Sequence, residues 1–433
     1  MDFINLLKRK QKPALGCTEP GAIALAASKA AEYLKSPVIT IELYLSRNIM
    51  KNAMNVGIAG TTEKGSAMAA ALGAIAGNSS FGLECLKGIT QQDVCKARKM
   101  VEDGAVRIML KDTEEKIYIR ACCIAGEEKA EVTIRQEHDH ITGIVVNGEI
   151  KLDLAVETEN EEEQEENFAF SDILDFVENV PAADIEFLLE GINLNSKLVE
   201  EGLNNDYGLC VGRKLFNRLQ QMSGHKADKQ GTYEQAAAYA SDEYAVSCTA
   251  AAVDARMAGC RLPVMSLDGS GNQGITAMIP IAVLGKYKGL NEEQMLRTLA
   301  LSELVTLYIK KHIGKLSAIC ACAVASSVGV SCGIVYMCGG SVHQMISAIK
   351  NMIADISGLI CDGAKDTCAL KIATGVSSAL QCAHLALVDD RNISGREGII
   401  DEELDQTIKN LGRIATEGMT PTDRVILDIM TCK

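Results

Sequence analysis

The sequence predicts an α+β protein, a mixed N-terminal part with a small β-sheet followed by a mostly helical C-terminal part. Three observations carry this. From Ala105 the apolar period switches to two, as in strands with one buried face. A dense block of acids, "ETENEEEQEEN" at 157–167, then interrupts the chain, and so many like charges belong on a solvated linker. Beyond Ser171 the chain reads as helix after helix, rich in Ala and other small residues. The expected division is 1–156, an acidic linker 157–170, and 171–433.

The opening residues to about Leu34 read as helix, broken at "KPALGCTEPG" by Pro13, Gly16, Pro20 and Gly21. That turn places Cys17 and Thr18 at the start of a second helix, "AIALAASKAAEYL". "PVITIELYLS" alternates like a strand, and "NVGIAGTTEKGSAMAAALGAIAG" is a loop leading into a small-residue helix. Thr90 is placed to cap "QQDVCKARKMVEDG". "AVRIMLK", "KIYIRACCI", "AEVTIRQ" and "ITGIVVNG" read as four strands, with Asn147–Gly148 as turn residues. In the C-terminal part a Gly-rich loop, "SLDGSGNQGITAMIP" at 266–280, separates the helices. The uncharged run 316–341 matches a membrane span in length, but it is Ala, Ser, Gly and Cys without an aromatic belt. It reads as a buried helix.

Composition narrows the function. The 433 residues carry a net charge of −14, with no cluster of Lys and Arg for phosphates, so nucleic acid is not an expected partner. The first residues lack a long apolar run ending in small residues, so a cytoplasmic protein is expected. Aromatics are only 4% and Trp is absent, so helices meet through small side chains, and a homodimer with no membrane contact is expected.

Sixteen cysteines follow no disulfide framework, and seven of them crowd between Cys320 and Cys382. Cys320 and Cys322 form "CAC", and Cys361 and Cys368 lie in "GLICDGAKDTCALK". These spacings are neither the paired C-x2-C of a zinc site nor a ferredoxin run. They leave two readings open: inert buried thiols, or thiols converging on a metal centre. In "DGSGNQGI" at 268–275, Gly271 permits close backbone approach, and Ser270, Asn272 and Gln273 offer hydrogen bonds. No Rossmann unit precedes it, so it is no dinucleotide fingerprint; an anion cradle and a plain turn both fit. Thr18 and Glu19 are placed to cap their helix or line a site. Arg256, in "DARMAG", has Asp254 and Glu243 as possible ion-pair partners, and Asp362 suits a helix start. On a strand His138 and His140 would share a face, but no further ligand joins them and they read as an exposed turn; His312, His343 and His384 stand singly.

"GCTEPGAIALA", "KNAMNVGIAGT", "DARMAG", "GSGNQGI", "IGKLSAICACAVA", "YMCGGS" and "GLICDGAKDTCALK", in this order, resemble the L-cysteine desulfidase group within the wider iron–sulfur L-serine dehydratase alpha-chain family. The resemblance runs over nearly the whole chain. It implies an oxygen-sensitive 4Fe–4S cluster held by three cysteines, with one iron open to an amino acid substrate. Cys361 and Cys368 match two ligands. Cys320 matches the third, with Cys322 as its alternative. The resemblance makes Cys17 the base that takes the α proton, and it suggests Thr18, Glu19, Asn52, Ser270, Gly271, Asn272 and Gln273 as substrate-binding residues. The implied reaction is β-elimination of L-cysteine to pyruvate, ammonia and sulfide in amino-acid catabolism. L-serine dehydration on the same scaffold and a non-catalytic metal or redox sensor are the alternatives. A helix end beside Cys17 is expected to favour its thiolate. The penultimate Cys432 is expected to be a surface thiol.

Overall fold

The computed structural model describes residues 1–155, 168–222, 241–314, 316–389, 393 and 395–432. The acidic run at 157–167 lies outside them. The described residues form the α+β architecture expected.

A six-stranded sheet dominates the N-terminal part. Its strands are β2 (Thr40–Leu45), β3 (Val106–Leu110), β4 (Tyr118–Ala125), β5 (Glu128–Arg135), β6 (Ile141–Val146) and β7 (Glu149–Asp153), in the order β3-β2-β4-β5-β6-β7. Only β2–β3 is parallel. Four strands are expected between Ala105 and Gly148; a fifth, β7, follows. Asn147 and Gly148 both adopt positive φ, 50° and 85°, the two-residue turn geometry that joins β6 to β7. β7 is mostly exposed, so it lacks the alternating burial that announces a strand. Helix α2 (Thr18–Ala31) covers the sheet, and α4 (Ser66–Ala76) packs on α2 through alanines. Between them in sequence, α3 (Arg47–Ala53) follows β2. Helix α5 (Gln91–Glu102) starts at the expected cap, where Thr90 and Asp93 form a reciprocal capping box.

The second apolar core is helical. Its elements are α6 (Phe170–Asn179), α7 (Leu188–Asn204), α8 (Val211–Met222), α9 (Ser241–Met257), α10 (Gly271–Lys288), α11 (Glu292–Ile313), α12 (Ala325–Met337), α13 (Val342–Ile356), α14 (Cys368–Val388) and α15 (Leu404–Arg413). The last helix, α16 (Thr420–Thr431), packs on α3 of the N-terminal part instead. α9 runs through its middle, buried against α7, α8, α10 and α14. The helix expected over 316–341 is shorter: 325–337 is helical and 316–324 is irregular, freeing that stretch to carry cysteines. No helix among the described residues is long and apolar enough to cross a membrane.

Two short strands break the expected helical pattern. After α1 (Phe3–Lys10), β1 (Gln11–Leu15) pairs antiparallel with β8 (Pro263–Leu267), registering Gln11 with Leu267 and Leu15 with Pro263. This ladder ties the approach to Cys17 to the approach to Ser270 across some 250 residues of sequence.

Candidate active site

Two irregular segments carry the thiols. Ile319 and Ile360 form an antiparallel bridge, with the Cys320 amide donating to Leu359 O at 2.9 Å and the Cys361 amide donating to Ala318 O at 2.7 Å. Residues that follow a bridge point to its other face, so Cys320 and Cys361 share a side. The two thiols lie close enough to shift one another: interaction with Cys361, then burial, pushes the Cys320 thiol up, while interaction with Cys320, and then the nearby Lys51 charge, pulls Cys361 down despite burial. Cys368 opens α14 and lies 3.8 Å from Gly363 O. Burial raises its thiol to about 11. The helix start expected at Asp362 does not form there; the helix begins at Cys368, and 361–367 stays irregular. Cys322 sits 3.1 Å from Ser270 Oγ, and burial raises its thiol too.

Lysines surround the 358–371 loop. Lys51 donates to Cys361 O at 3.2 Å, Lys371 to Ile360 O at 2.7 Å, and Lys64 to Asp366 at 2.6 Å. Asp362 pairs with Lys365 and Lys371. Burial works against its charge, yet the two lysines hold its carboxyl at about 2. Asp362 therefore anchors its own loop. Gly363 has φ +90°, and a Cβ there would fall 2.3 Å from Lys51 O, so only glycine lets the loop close onto α3.

Facing the thiols is the start of α2. Cys17 is the N-cap residue, with extended backbone at φ −91° and ψ 139° and only 4% exposure. Its side chain makes no capping hydrogen bond. Burial raises the thiol to about 12; Arg256 opposes the rise, while Glu19, Cys368 and Cys322 add to it. The expectation that the helix end would favour the thiolate is thus reversed, because desolvation outweighs the dipole. Cys17 lies within charge range of Cys322 and Cys368, and the helix it caps reaches Gly269, next to the Ser270 that contacts Cys322.

Thr18 and Glu19 turn inward rather than capping the helix. Thr18 Oγ1 reaches Glu19 at 3.2 Å and Gly269 O at 3.4 Å, and Asn52 donates to Glu19 at 2.9 Å. Ser270 caps α10, accepting from the Gln273 amide at 3.4 Å. Arg256 Nη1 donates to Asn272 Oδ1 at 2.9 Å and Nη2 to Gly16 O at 3.0 Å. Asp254 instead accepts from the Gly212 amide at 2.9 Å, so it is not the partner of Arg256. Gly271 makes room for the guanidinium: a Cβ there would meet Arg256 Nε at 2.3 Å. Several buried polar atoms here have no hydrogen-bond partner, namely Asn52 Oδ1, Arg256 Nε and both amide atoms of Gln273. Such atoms are costly unless something else meets them.

The structure brings Cys17, Thr18, Glu19, Asn52, Ser270, Gly271 and Asn272 into one connected region with Cys320, Cys322, Cys361 and Cys368; Gln273 lies on the first turn of α10 beside them. Cys432 is exposed. His312 stacks edge-on against Tyr308. Lys51 is a residue that sequence reasoning missed: its polar contacts are with a backbone carbonyl and with Asp423, far off in sequence, and neither leaves a motif.

Among the described residues, no three His, Cys, Asp or Glu side chains stand where they would share one metal ion. Thiolates of an iron–sulfur cluster bind different irons and need not meet at one point. Three neighbouring thiols, one drawn toward thiolate by Cys320 and then by Lys51, form a donor set that fits such soft iron chemistry.

Comparison with known proteins gives the family. The family model for the serine dehydratase alpha chain matches residues 80–428. A UPF0597 protein of Bacteroides fragilis is 44% identical over all of this chain and 98% of its own length. UPF0597 proteins of Parabacteroides distasonis, 43% identical over 100% of this chain and 98% of the relative, and of Clostridium tetani, 41% over 99% and 97%, are similar throughout. With the thiol segments, the Ser270 helix start and α14 all inside the matched range, the chain belongs to the serine dehydratase alpha chain family.

Proposed function

We propose that the protein is an iron–sulfur β-elimination lyase that converts L-cysteine and water to pyruvate, ammonia and sulfide. The family supports a lyase with iron–sulfur dependence in general. The single observation that carries the finer reading is the convergence of the bridged Cys320 and Cys361 segments, through Cys322 and Ser270, on the Gly16–Thr18 turn, where Cys17 sits beside the buried Arg256. Cys320, Cys361 and Cys368 would hold a 4Fe–4S cluster, which when bound supplies a Lewis acid at its open iron for the departing β-substituent.

The remaining roles belong to the chain itself. Arg256, 5% exposed, has no carboxylate within ion-pairing distance among the described residues, and its free Nε is suited to a substrate carboxylate. Gly271 keeps that edge of the guanidinium clear. Asn52 Oδ1 and the Gln273 amide are suited to the ammonium group and to orientation. Cys17 takes the α proton at Sγ. Burial makes its thiolate scarce but strongly basic, which suits a weakly acidic C–H, and Arg256 stabilises the anion. The thiol of the substrate leaves, and the aminoacrylate product hydrolyses in water to pyruvate and ammonia. A soft leaving group matches soft iron, which favours cysteine over serine. L-serine dehydration is the second reading, supported by the family's own description.

The test is reconstitution of the full chain with iron and sulfide without oxygen, followed by assay of pyruvate from each amino acid. Pyruvate and sulfide from L-cysteine, above pyruvate from L-serine, is the expected result. Pyruvate from L-serine alone would replace the substrate. Pyruvate from neither, with the cluster intact, would overturn the lyase reading in favour of a sensor.

A further inference from the structure

The two thiol-bearing segments hang from one short helix. Asn48 Nδ2 on α3 donates to Leu316 O at 2.8 Å, at the start of the 316–324 segment. One turn on, Lys51 Nζ donates to Cys361 O at 3.2 Å. The spacing of three puts both side chains on one face of α3. Asn52 shares that face and reaches Glu19.

Both donors are gripped by the same residue. Asp423, on α16, accepts from Lys51 at 2.5 Å through Oδ1 and from Asn48 at 3.4 Å through Oδ2. The Lys51 side chain is 2% exposed and that of Asp423 is 19% exposed, so water screens the contact little. α16 is also docked by Leu427, which is buried in the N-terminal apolar core at 3% exposure. It follows a single π-turn, Ile414–Gly418, from α15. A carboxylate brought from the last helix therefore fixes two donors, and each donor fixes one cysteine segment.

We infer that Asp423 is a clasp: through Asn48 and Lys51 it holds the Cys320 and Cys361 segments in the spacing that receives a cluster, so seating of α16 controls cluster retention. Asp423 is a positioning residue and touches neither sulfur. It acts as outer partners of metal ligands do, fixing the ligands' orientation. The cluster half of this inference rests on the proposed function; the clasp itself is a property of the cluster-free chain.

The experiment compares wild type, Asp423→Asn, Asn48→Ala and Asp428→Asn, the last altering an exposed acid on the same helix. In the cluster-free chain, amide hydrogen exchange is followed in peptides covering 316–324 and 358–368, where the Cys320 and Cys361 amides make their bridging bonds. Asp423→Asn is expected to speed exchange in both peptides by about tenfold, and Asn48→Ala in the first, while Asp428→Asn matches wild type. In anaerobically reconstituted protein, iron loss to a chelator should be about tenfold faster in Asp423→Asn. Exchange at the wild-type rate in both peptides of Asp423→Asn overturns the clasp. If Asp423→Asn fails to fold, an unchanged 316–324 peptide in Asn48→Ala overturns it. Loosened peptides in a chain that binds no iron would refute the cluster reading and leave the clasp standing.

Discussion

On the thiol side of the site, lysines tie down the backbone: Lys51 holds Cys361 O, Lys371 holds Ile360 O, and Asp362 is clamped between Lys365 and Lys371. On the Cys17 side, Arg256, Asn52 and Gln273 are buried yet keep polar atoms without partners. The first side is closed on itself, as a scaffold for a fixed group should be. The second keeps hydrogen-bonding capacity in reserve, as suits a ligand that comes and goes. The difference supports the proposed reading, in which one wall would hold the cluster and the other would receive the substrate.

The strongest way to break this contrast is on the recognition wall. Arg256→Gln removes a buried charge suited to the substrate carboxylate, so kcat/KM should fall by roughly thirtyfold or more, the equivalent of about 2 kcal/mol, while iron content stays at the wild-type level. Steady-state kinetics beside iron analysis separates the two; loss of iron in this variant would merge the walls.

On the scaffold wall, Gly363→Ala forces a Cβ to within 2.3 Å of Lys51 O at φ +90°. It should lower unfolding free energy by about 2 kcal/mol in a denaturant titration. Gly358→Ala, in the same loop, has open space around its added Cβ and should cost much less. Equal losses would show that the loop is not closed onto α3.

The smallest effect concerns Glu303, which accepts from Gln11 Nε2 at 2.7 Å beneath the strand leading to Cys17. Burial raises its carboxyl to about 8, against an ordinary value of 4.5. A raised folded-state value means its contribution is fully present below about pH 4.5 and is lost as pH climbs through 8. Wild type should lose about 1 kcal/mol of stability between pH 7 and pH 8 from this group, and Glu303→Gln should not. Parallel stability profiles for the two proteins would contradict this.

Much of this was legible in the residues. Apolar period gave five of the six strands of the large sheet and most helices, and Thr90 gave its cap. The quoted cysteine, "GCTEP" and "GSGNQGI" motifs pointed to one region. What could not be read depended on approach in three dimensions. β1 and β8 are five residues each, each contains a proline, and their ladder joins distant parts of the chain. Arg256 stood near two acids in sequence, but its partners are Asn272 and a backbone carbonyl. Lys51 likewise meets a carbonyl and a carboxylate from the last helix. The reversal at Cys17 has the same origin, since burial is a tertiary property and the helix end a local one.

The central proposal is that Cys320, Cys361 and Cys368 hold the cluster, with Cys320 rather than its alternative Cys322 as the third ligand. Iron and acid-labile sulfide, measured after oxygen-free reconstitution of the four single Cys→Ala variants, test it most directly. Iron and sulfide near background in Cys320→Ala, Cys361→Ala and Cys368→Ala, with Cys322→Ala at the wild-type level, is the predicted result. Wild-type iron and sulfide in any of the first three would contradict it.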